Sequence, residues 1–188
     1  MIAKLNLASL LAALIAFAFP WLELRCSNEP MLTQTGIQIL YGGATPAGAL
    51  AEMVKENPEK ADDPDRPDSA GASILVGIAL LATLGALVFG FLALRRNRSG
   101  DLLRSGALAA VALAALLAQL AAGFPLKDQI DQDTGSSTAN NPFSRLASAA
   151  LRVEVVHRPA FYIELAALGL PVLIFGNSLL EKLRRPIS

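Results

Sequence analysis

Four long segments with almost no charged residues constrain this chain more than any other feature. They cover about 5–22, 73–94, 105–126 and 160–180. Each is close to the length of about 20 apolar residues that a helix needs to cross a bilayer. The composition agrees, because 17% of the residues are charged, whereas about a quarter is usual in a soluble domain. The sequence therefore predicts a mainly α-helical membrane protein, a bundle of four transmembrane helices.

Basic residues at the segment ends predict the orientation of this bundle. Lys and Arg collect in cytoplasmic loops, and here they flank the segments at three places: Lys4, then Arg95, Arg96, Arg98 and Arg104, then Lys182, Arg184 and Arg185. With four spans these places share one side, so we expect both termini in the cytoplasm. The loops 23–72 and 127–159 then face outward, and the first has nine acidic and four basic residues. The abundance of Ala, Leu and Arg favours a bacterium of high GC content, and for such a source we expect the four-span protein in the inner (plasma) membrane.

The N-terminus also has a second interpretation, a cleaved signal peptide. Lys4 supplies a basic start, residues 5–15 an apolar stretch, and 16–18 an A-x-A cleavage pattern. Pro20 and Trp21 extend the apolar run, and Trp at the end of a span is typical of an interfacial anchor. These residues favour a first span, and the alternative stays open.

Small residues spaced by four predict where the helices pack. Such spacing lets two helix backbones approach closely in lipid. The stripes are Gly106, Ala110, Ala114, Ala118 and Ala122 in the third segment, Ala82, Ala86 and Gly90 in the second, and Ala8, Ala12 and Ala16 in the first. A short turn around Asn97 makes the second and third segments antiparallel neighbours. The alternative is that an Ala-rich chain contains such stripes by chance.

The outward loops contain three candidate strands. Apolar and polar residues alternate over 22–26 and again over Thr33 to Tyr41, and 151–157 is rich in Val. We expect these segments to form a small antiparallel sheet on the extracytoplasmic side, with a turn at 28–30. Short helices are predicted after Thr45-Pro46 and after Asn141-Pro142, because Pro is favoured at the first helical position.

Three polar residues inside the apolar segments are candidate functional residues. Glu164 is the strongest, because an ionisable group in a membrane helix indicates a functional site and could carry a proton or a cation. The alternative places Glu164 at the outer interface, in contact with headgroups or paired with Arg158. Gln119 and Asn177 are expected to form hydrogen bonds between helices.

The remaining chemistry-bearing residues predict no catalytic, metal or cofactor site. The chain has one cysteine, Cys26, and one histidine, His157, so it has neither an internal disulfide nor the ligand cluster of a zinc site. No phosphate-binding loop, dinucleotide fingerprint or serine-hydrolase elbow occurs. No basic tract with interleaved aromatic residues is present, so nucleic-acid binding is not expected.

Two layouts resemble known proteins. The stretches PWLELRC at 20–26, TGIQ at 35–38 and GG at 42–43 are similar to a pattern in uncharacterised bacterial four-span proteins, a resemblance that implies no activity. The order of four spans, a strand-rich first loop with Trp and Cys, and a strand before the last span also resembles the claudin-like arrangement. The second Cys and the Gly-Leu-Trp motif of claudins are missing.

These observations favour a non-enzymatic accessory, scaffolding or assembly protein of the lipid bilayer. Its expected partner is another membrane protein or further copies of itself. The alternative is a small transporter or channel subunit, which would need polar residues along a path through the membrane.

Overall fold

The computed structural model describes residues 2–26, 28–56, 72–96, 99–124 and 153–184, which form helices and one small sheet. The helices are α1 (Ile2–Ala16), α2 (Gly36–Tyr41), α3 (Gly48–Glu56), α4 (Ile74–Arg96), α5 (Ser99–Ala122) and α6 (Pro159–Arg184). The strands are β1 (Pro20–Cys26), β2 (Glu29–Thr35), β3 (Thr45–Pro46) and β4 (Val153–His157). The chain divides into a helical unit, residues 1–18, 74–121 and 162–188, and a sheet unit, residues 19–73 and 122–161.

Three helices of the helical unit are long and apolar enough to cross a membrane. They are Ile74–Arg96, Gly100–Ala122 and Pro159–Leu180. These correspond to the second, third and fourth predicted segments, so the mainly helical membrane architecture is confirmed at this level. The last of them continues as a helix through Pro171.

The first predicted segment differs from the structure. Helix α1 has 15 residues, about 22 Å at 1.5 Å per residue, which is shorter than a usual span. It ends at Ala16, and β1 begins at Pro20. Pro lacks a backbone N–H and disfavours a helical conformation in the residue before it, so the helix cannot continue to Leu22 as predicted.

Helices α4 and α5 pack as antiparallel neighbours. Near one end, a Cβ added at Gly90 would lie 3.3 Å from Ser105 Oγ, and five residues earlier a Cβ at Gly85 would lie 3.1 Å from Leu108 Cδ1. The two contacts follow the helices in opposite directions. Helix α5 begins at Ser99, earlier than predicted, so Arg104 lies in the helix and not in the turn.

The sheet is antiparallel, with strand order β3-β2-β1-β4. Strand β1 pairs with β2 from Pro20↔Thr35 to Cys26↔Glu29, and with β4 from Leu22↔His157 to Cys26↔Val153. The predicted small antiparallel sheet is therefore confirmed. The predicted turn at 28–30 is shorter, because β2 already begins at Glu29 and Asn28 takes a left-handed conformation with φ of 73°.

The prediction that the second strand continues to Tyr41 was wrong, because residues 36–41 form α2. Thr35 Oγ1 accepts a hydrogen bond from Gln38 N at 3.1 Å, and Thr35 N donates to Gln38 Oε1 at 2.9 Å. This reciprocal capping box fixes a helix start. Gly42, with φ of 78°, ends the helix in a left-handed conformation, which glycine adopts without steric cost.

The short helix predicted after Thr45-Pro46 is present but begins later, at Gly48. Thr45 and Pro46 instead pair with β2 as strand β3. The segment after Asn141-Pro142 lies outside the described residues. An aromatic cluster forms part of the sheet-unit core, with Trp21 5.5 Å from Phe161 and Phe124 5.7 Å from Phe161 between ring centroids. Trp21 is fully buried, so it is not the exposed interfacial anchor that the sequence indicated.

Candidate functional site

Glu164 lies on α6 as a fully buried carboxylate. It is the only charged residue between Pro159 and Leu180, and its exposed fraction is 0%. Among the residues that the structure describes, neither carboxylate oxygen has a hydrogen-bond partner. A buried polar group without a partner is costly and indicates a special role or an unfilled interaction.

The expected pairing of Glu164 with Arg158 is wrong, whereas the alternative position of Glu164 at the outer membrane interface stays a prediction. Arg158 Nη2 contacts Glu23 Oε2 instead. Glu164 is also not surface-exposed, because its neighbours in the fold cover it completely. The sequence could not show this, since Glu23 and Arg158 are distant along the chain and meet only when β1 pairs with β4.

Other polar groups of the helical unit bond to one another. Asn6 Nδ2 on α1 donates to Ser105 Oγ on α5 at 3.0 Å, and Ser105 Oγ donates to the backbone oxygen of Ala86 on α4 at 2.8 Å. Gly90 leaves room for this contact, because a Cβ there would lie 3.3 Å from both Asn6 Nδ2 and Ser105 Oγ. Three helices are therefore joined by one short polar chain.

Asn6 and Ser105 were not recognised from the sequence as linking residues. Their signal was present, because small polar side chains inside apolar helices often form hydrogen bonds across helices. Ser9 on α1 gives a second link, since its Oγ donates to the backbone oxygen of Ala167 on α6 at 2.5 Å. Ala167 lies about one turn after Glu164, so α1 packs beside that part of α6.

Gln119 and Asn177 are not brought together with Glu164. Gln119 is buried on α5, whereas Asn177 is exposed on α6. Since both oxygens of Glu164 lack hydrogen bonds, neither amide is bonded to it. Within the residues that the structure describes, the three candidates do not form a shared polar site.

The small-residue stripes lie partly in helix contacts. Ala82, Ala86 and Gly90 on α4 are all buried. On α5, Gly106 is buried and Ala110 half-buried, whereas Ala114 and Ala118 are exposed. Residues four apart turn by about 40° at each step around a helix of 3.6 residues per turn, so a long stripe leaves the packed face. The buried face of α5 continues through other residues: Ala109, Ala112, Leu116 and Gln119.

The sheet unit has its own buried carboxylate, Glu23, in an arginine clasp made of Glu23, Arg25 and Arg158. Glu23 is 1% exposed, and Arg25 Nε lies 2.6 Å from its Oε1 while Arg158 Nη2 contacts its Oε2. Arg158 N also donates to the backbone oxygen of Trp21 at 2.7 Å. The clasp therefore fixes β1 against the residue that follows β4, and both arginines remain partly exposed.

His157 belongs to the aromatic cluster. Its ring lies 5.7 Å from Phe124 and 5.5 Å from Phe161 between centroids. Burial lowers the pKa of His157 below its ordinary value, because desolvation disfavours the imidazolium. Among the described residues, no group of three or more His, Cys, Asp or Glu could hold a metal ion.

Comparisons with known proteins add no family to this description. No protein-family model matches the sequence, and no curated protein or solved structure shows significant similarity to it. The resemblance to claudin-like and bacterial four-span proteins stays a prediction.

Proposed function

We propose that this chain is a non-enzymatic accessory, scaffolding or assembly protein of a bacterial inner membrane. The observation that carries the proposal is the polar chain Asn6–Ser105–Ala86. In this chain Asn6 and Ser105 join α1, α4 and α5, which supports a packing role for them, whereas a transport path would need polar groups facing a shared space. The folded sheet unit, fixed by the arginine clasp, supplies a shaped surface for a partner.

The proposal includes four spans with both termini in the cytoplasm. In this arrangement α1 and residues 17–19 form a short first span. The span ends where β1 begins, at Pro20. The basic residues at the α4–α5 turn and after α6 favour the cytoplasmic side. The sheet unit then lies in the outward loops, where it is available to a membrane-protein partner or to a second copy.

The test is native purification in mild detergent with identification of bound proteins by mass spectrometry. A stoichiometric partner is expected. The exposed residues Glu154 on β4 and Glu52 on α3 then locate the contact, since Glu154→Arg and Glu52→Arg reverse a charge on two different elements of the sheet unit. Purification of the chain alone as a monomer would contradict the proposal.

A second candidate function is a small transporter or channel subunit, and Glu164 is the observation that favours it. A buried carboxylate without a partner in a candidate span is the usual element of a proton or cation relay. Among the described residues no second polar group is bonded to it, so a relay would need a further polar group or water beside Glu164.

This candidate is tested with the purified protein in proteoliposomes. A potassium diffusion potential set by valinomycin drives proton entry, which a trapped pH-sensitive dye reports. If Glu164 is a relay, Glu164→Gln abolishes the proton flux of the wild type, while the exposed control Glu154→Gln retains it. Equal flux in the wild type and in Glu164→Gln would remove Glu164 from any transport mechanism.

A further inference from the structure

The exposed face of helix α2 is unusual because it is apolar. Ile37 and Tyr41, four residues apart on one side of the helix, are 43% and 64% exposed. Leu40 between them is half-buried. The opposite side carries Ile39, which is 1% exposed. A helix with apolar residues on both its buried and its exposed side is expected in surroundings that are apolar on both sides.

The amide of Gln38 in α2 does not make this face polar. Gln38 caps the helix through Thr35, and its Nε2 donates to Thr45 Oγ1 at 2.7 Å. Both functions direct the amide toward neighbouring backbone and side chains of the sheet unit. No charged residue occurs from 30 to 51, so the residues of α2 themselves can leave water without desolvating a charge.

Phe19 extends the apolar face. Pro20 pairs with Thr35 in the sheet, so Phe19, the residue before Pro20, lies next to the start of α2. Phe19 is 54% exposed. We call Phe19, Ile37 and Tyr41 the α2 face. It combines a large aliphatic residue with two aromatic rings, including a tyrosine, the kind of residue enriched where a protein meets the membrane–water interface.

Chain continuity indicates which apolar environment covers this face. Phe19 follows the last residue of α1, Ala16, by three positions, which allows a separation of at most about 11 Å. The outer side of α1 is itself apolar and exposed, with Leu11 at 43% and Ile15 at 59%. In the four-span topology proposed above, this side of α1 contacts lipid, and Phe19 then lies within short reach of the bilayer.

We propose that the α2 face inserts into the interfacial layer of the bilayer, so that α2 is a membrane-surface helix that anchors the sheet unit to lipid. The occupant is the boundary between headgroups and acyl chains. Insertion of short apolar helix faces at this depth is driven by the apolar area removed from water. Because the face has no charge, the binding does not require anionic lipid.

The anchoring rests on the proposed four-span topology, in which α1 lies in the membrane, and does not depend on the accessory role. It constrains where a partner can bind, because the α2 face is not available to a protein once it contacts lipid. The capping box and Gly42 stabilise a short helix that would otherwise be marginal in water. They thereby hold Ile37 and Tyr41 on one side of the helix.

Site-directed spin labelling tests the proposal in proteoliposomes of uncharged phosphatidylcholine. Cys26, the only cysteine, is replaced in Cys26→Ser, and single cysteines are then introduced by Ile37→Cys and Tyr41→Cys. The matched controls are Glu52→Cys and Lys55→Cys on α3, which are exposed and polar. Collisions of the nitroxide are measured with oxygen, which dissolves in the bilayer, and with a water-soluble nickel complex.

The ratio of oxygen to nickel accessibility is expected to be severalfold higher at positions 37 and 41 than at positions 52 and 55. High nickel accessibility at 37 and 41 would overturn the proposal, because the face would then be in water. Protection from both reagents would overturn it as well, because protein and not lipid would cover the face.

A second measurement avoids the Cys26→Ser background. Tyr41→Trp in the otherwise native chain adds one fluorophore to the buried Trp21, and Lys55→Trp is its control. Lipids brominated near the headgroup should quench the added emission of Tyr41→Trp and leave that of Lys55→Trp unchanged. Equal quenching of the two variants would contradict the insertion of α2.

Discussion

At the level of single residues, Glu23 links β1 to Arg158, the residue that follows β4. Its carboxylate is almost fully buried, and the arginines of the clasp lie on either side of it. An uncompensated charge in that position would be strongly unfavourable. The partly exposed arginines are screened by water, so the clasp contributes less than a fully buried ion pair would.

We expect Glu23→Gln to lower the free energy of unfolding of the sheet unit by about 2 kcal/mol, the usual range for losing a hydrogen bond to a charged group. Trp21 is the only tryptophan and is buried in this unit, so its fluorescence reports denaturant unfolding directly. Glu154→Gln, at an exposed position on β4, is the control and should change stability by less than about 0.5 kcal/mol. Equal stability of the two variants would show that the clasp is not stabilising.

His157 gives the sheet unit a pH dependence whose sign follows from its lowered pKa. Desolvation makes the folded pKa lower than the ordinary value of 6.5, so the unfolded chain binds the proton more readily. Stability from His157 is therefore complete above about pH 6.5 and is lost as the pH falls toward the folded pKa.

The expected result is that the wild type unfolds at lower denaturant concentration at about pH 5 than at about pH 7.5, and that His157→Phe reduces this difference. Trp21 fluorescence again provides the measurement. The comparison between variant and wild type removes the contribution of the carboxylates, which both proteins share. An unchanged pH dependence in His157→Phe would contradict the assignment of the effect to His157.

At the scale of helices, Gly106 lies at a close contact between α5 and α6. A Cβ added there would clash with Cβ of Phe175. By contrast, a Cβ at Gly169, also inside a candidate span, would meet no atom within 4 Å. Substitution by Ala therefore tests close packing at Gly106 and helix propensity alone at Gly169.

We predict that Gly106→Ala destabilises the helical unit by about 1–3 kcal/mol through overpacking. Gly169→Ala should be neutral or should stabilise by up to about 1 kcal/mol, because Ala favours a helix more than Gly does. Unfolding in mixed detergent micelles, followed by circular dichroism, distinguishes them. A stable Gly106→Ala protein would show that α5 and α6 are not in close contact there.

Some of the helices and strands could be predicted from the sequence and others could not. The strands at 22–26 and 153–157 were predictable, because alternation and Val content are local signals. Helix α2 was predicted as strand because Ile37, Ile39 and Tyr41 share one parity, although the T-x-x-Q capping pattern of Thr35 and Gln38 was also present. When a capping pattern and an alternating pattern overlap, the capping hydrogen bonds decide the local structure here.

The packed face of α5 could be predicted only in part. Gly106 was recognised through its spacing, but spacing by four does not follow a face of a straight helix beyond about two turns. The partner of Arg158 was not predictable at all, because the choice between Glu164 and Glu23 depends on the pairing of β1 with β4. Contacts between distant residues follow from tertiary structure, whereas local patterns determine the elements.

For the whole molecule, we propose that α4 crosses the bilayer and that the sheet-unit residues before it face outward. The three long apolar helices support the membrane location, and the distribution of Lys and Arg supports the direction. The proposed function and the lipid contact of α2 both depend on this topology.

Fusion of alkaline phosphatase after position 60 and after position 98 tests this topology, because the enzyme is active only outside the cytoplasm. These positions lie on either side of α4 (Ile74–Arg96). The proposed topology predicts an active fusion at position 60 and an inactive one at position 98, with both fusions present at equal levels by immunoblot. Activity at position 98, or equal activity at both positions, would contradict it.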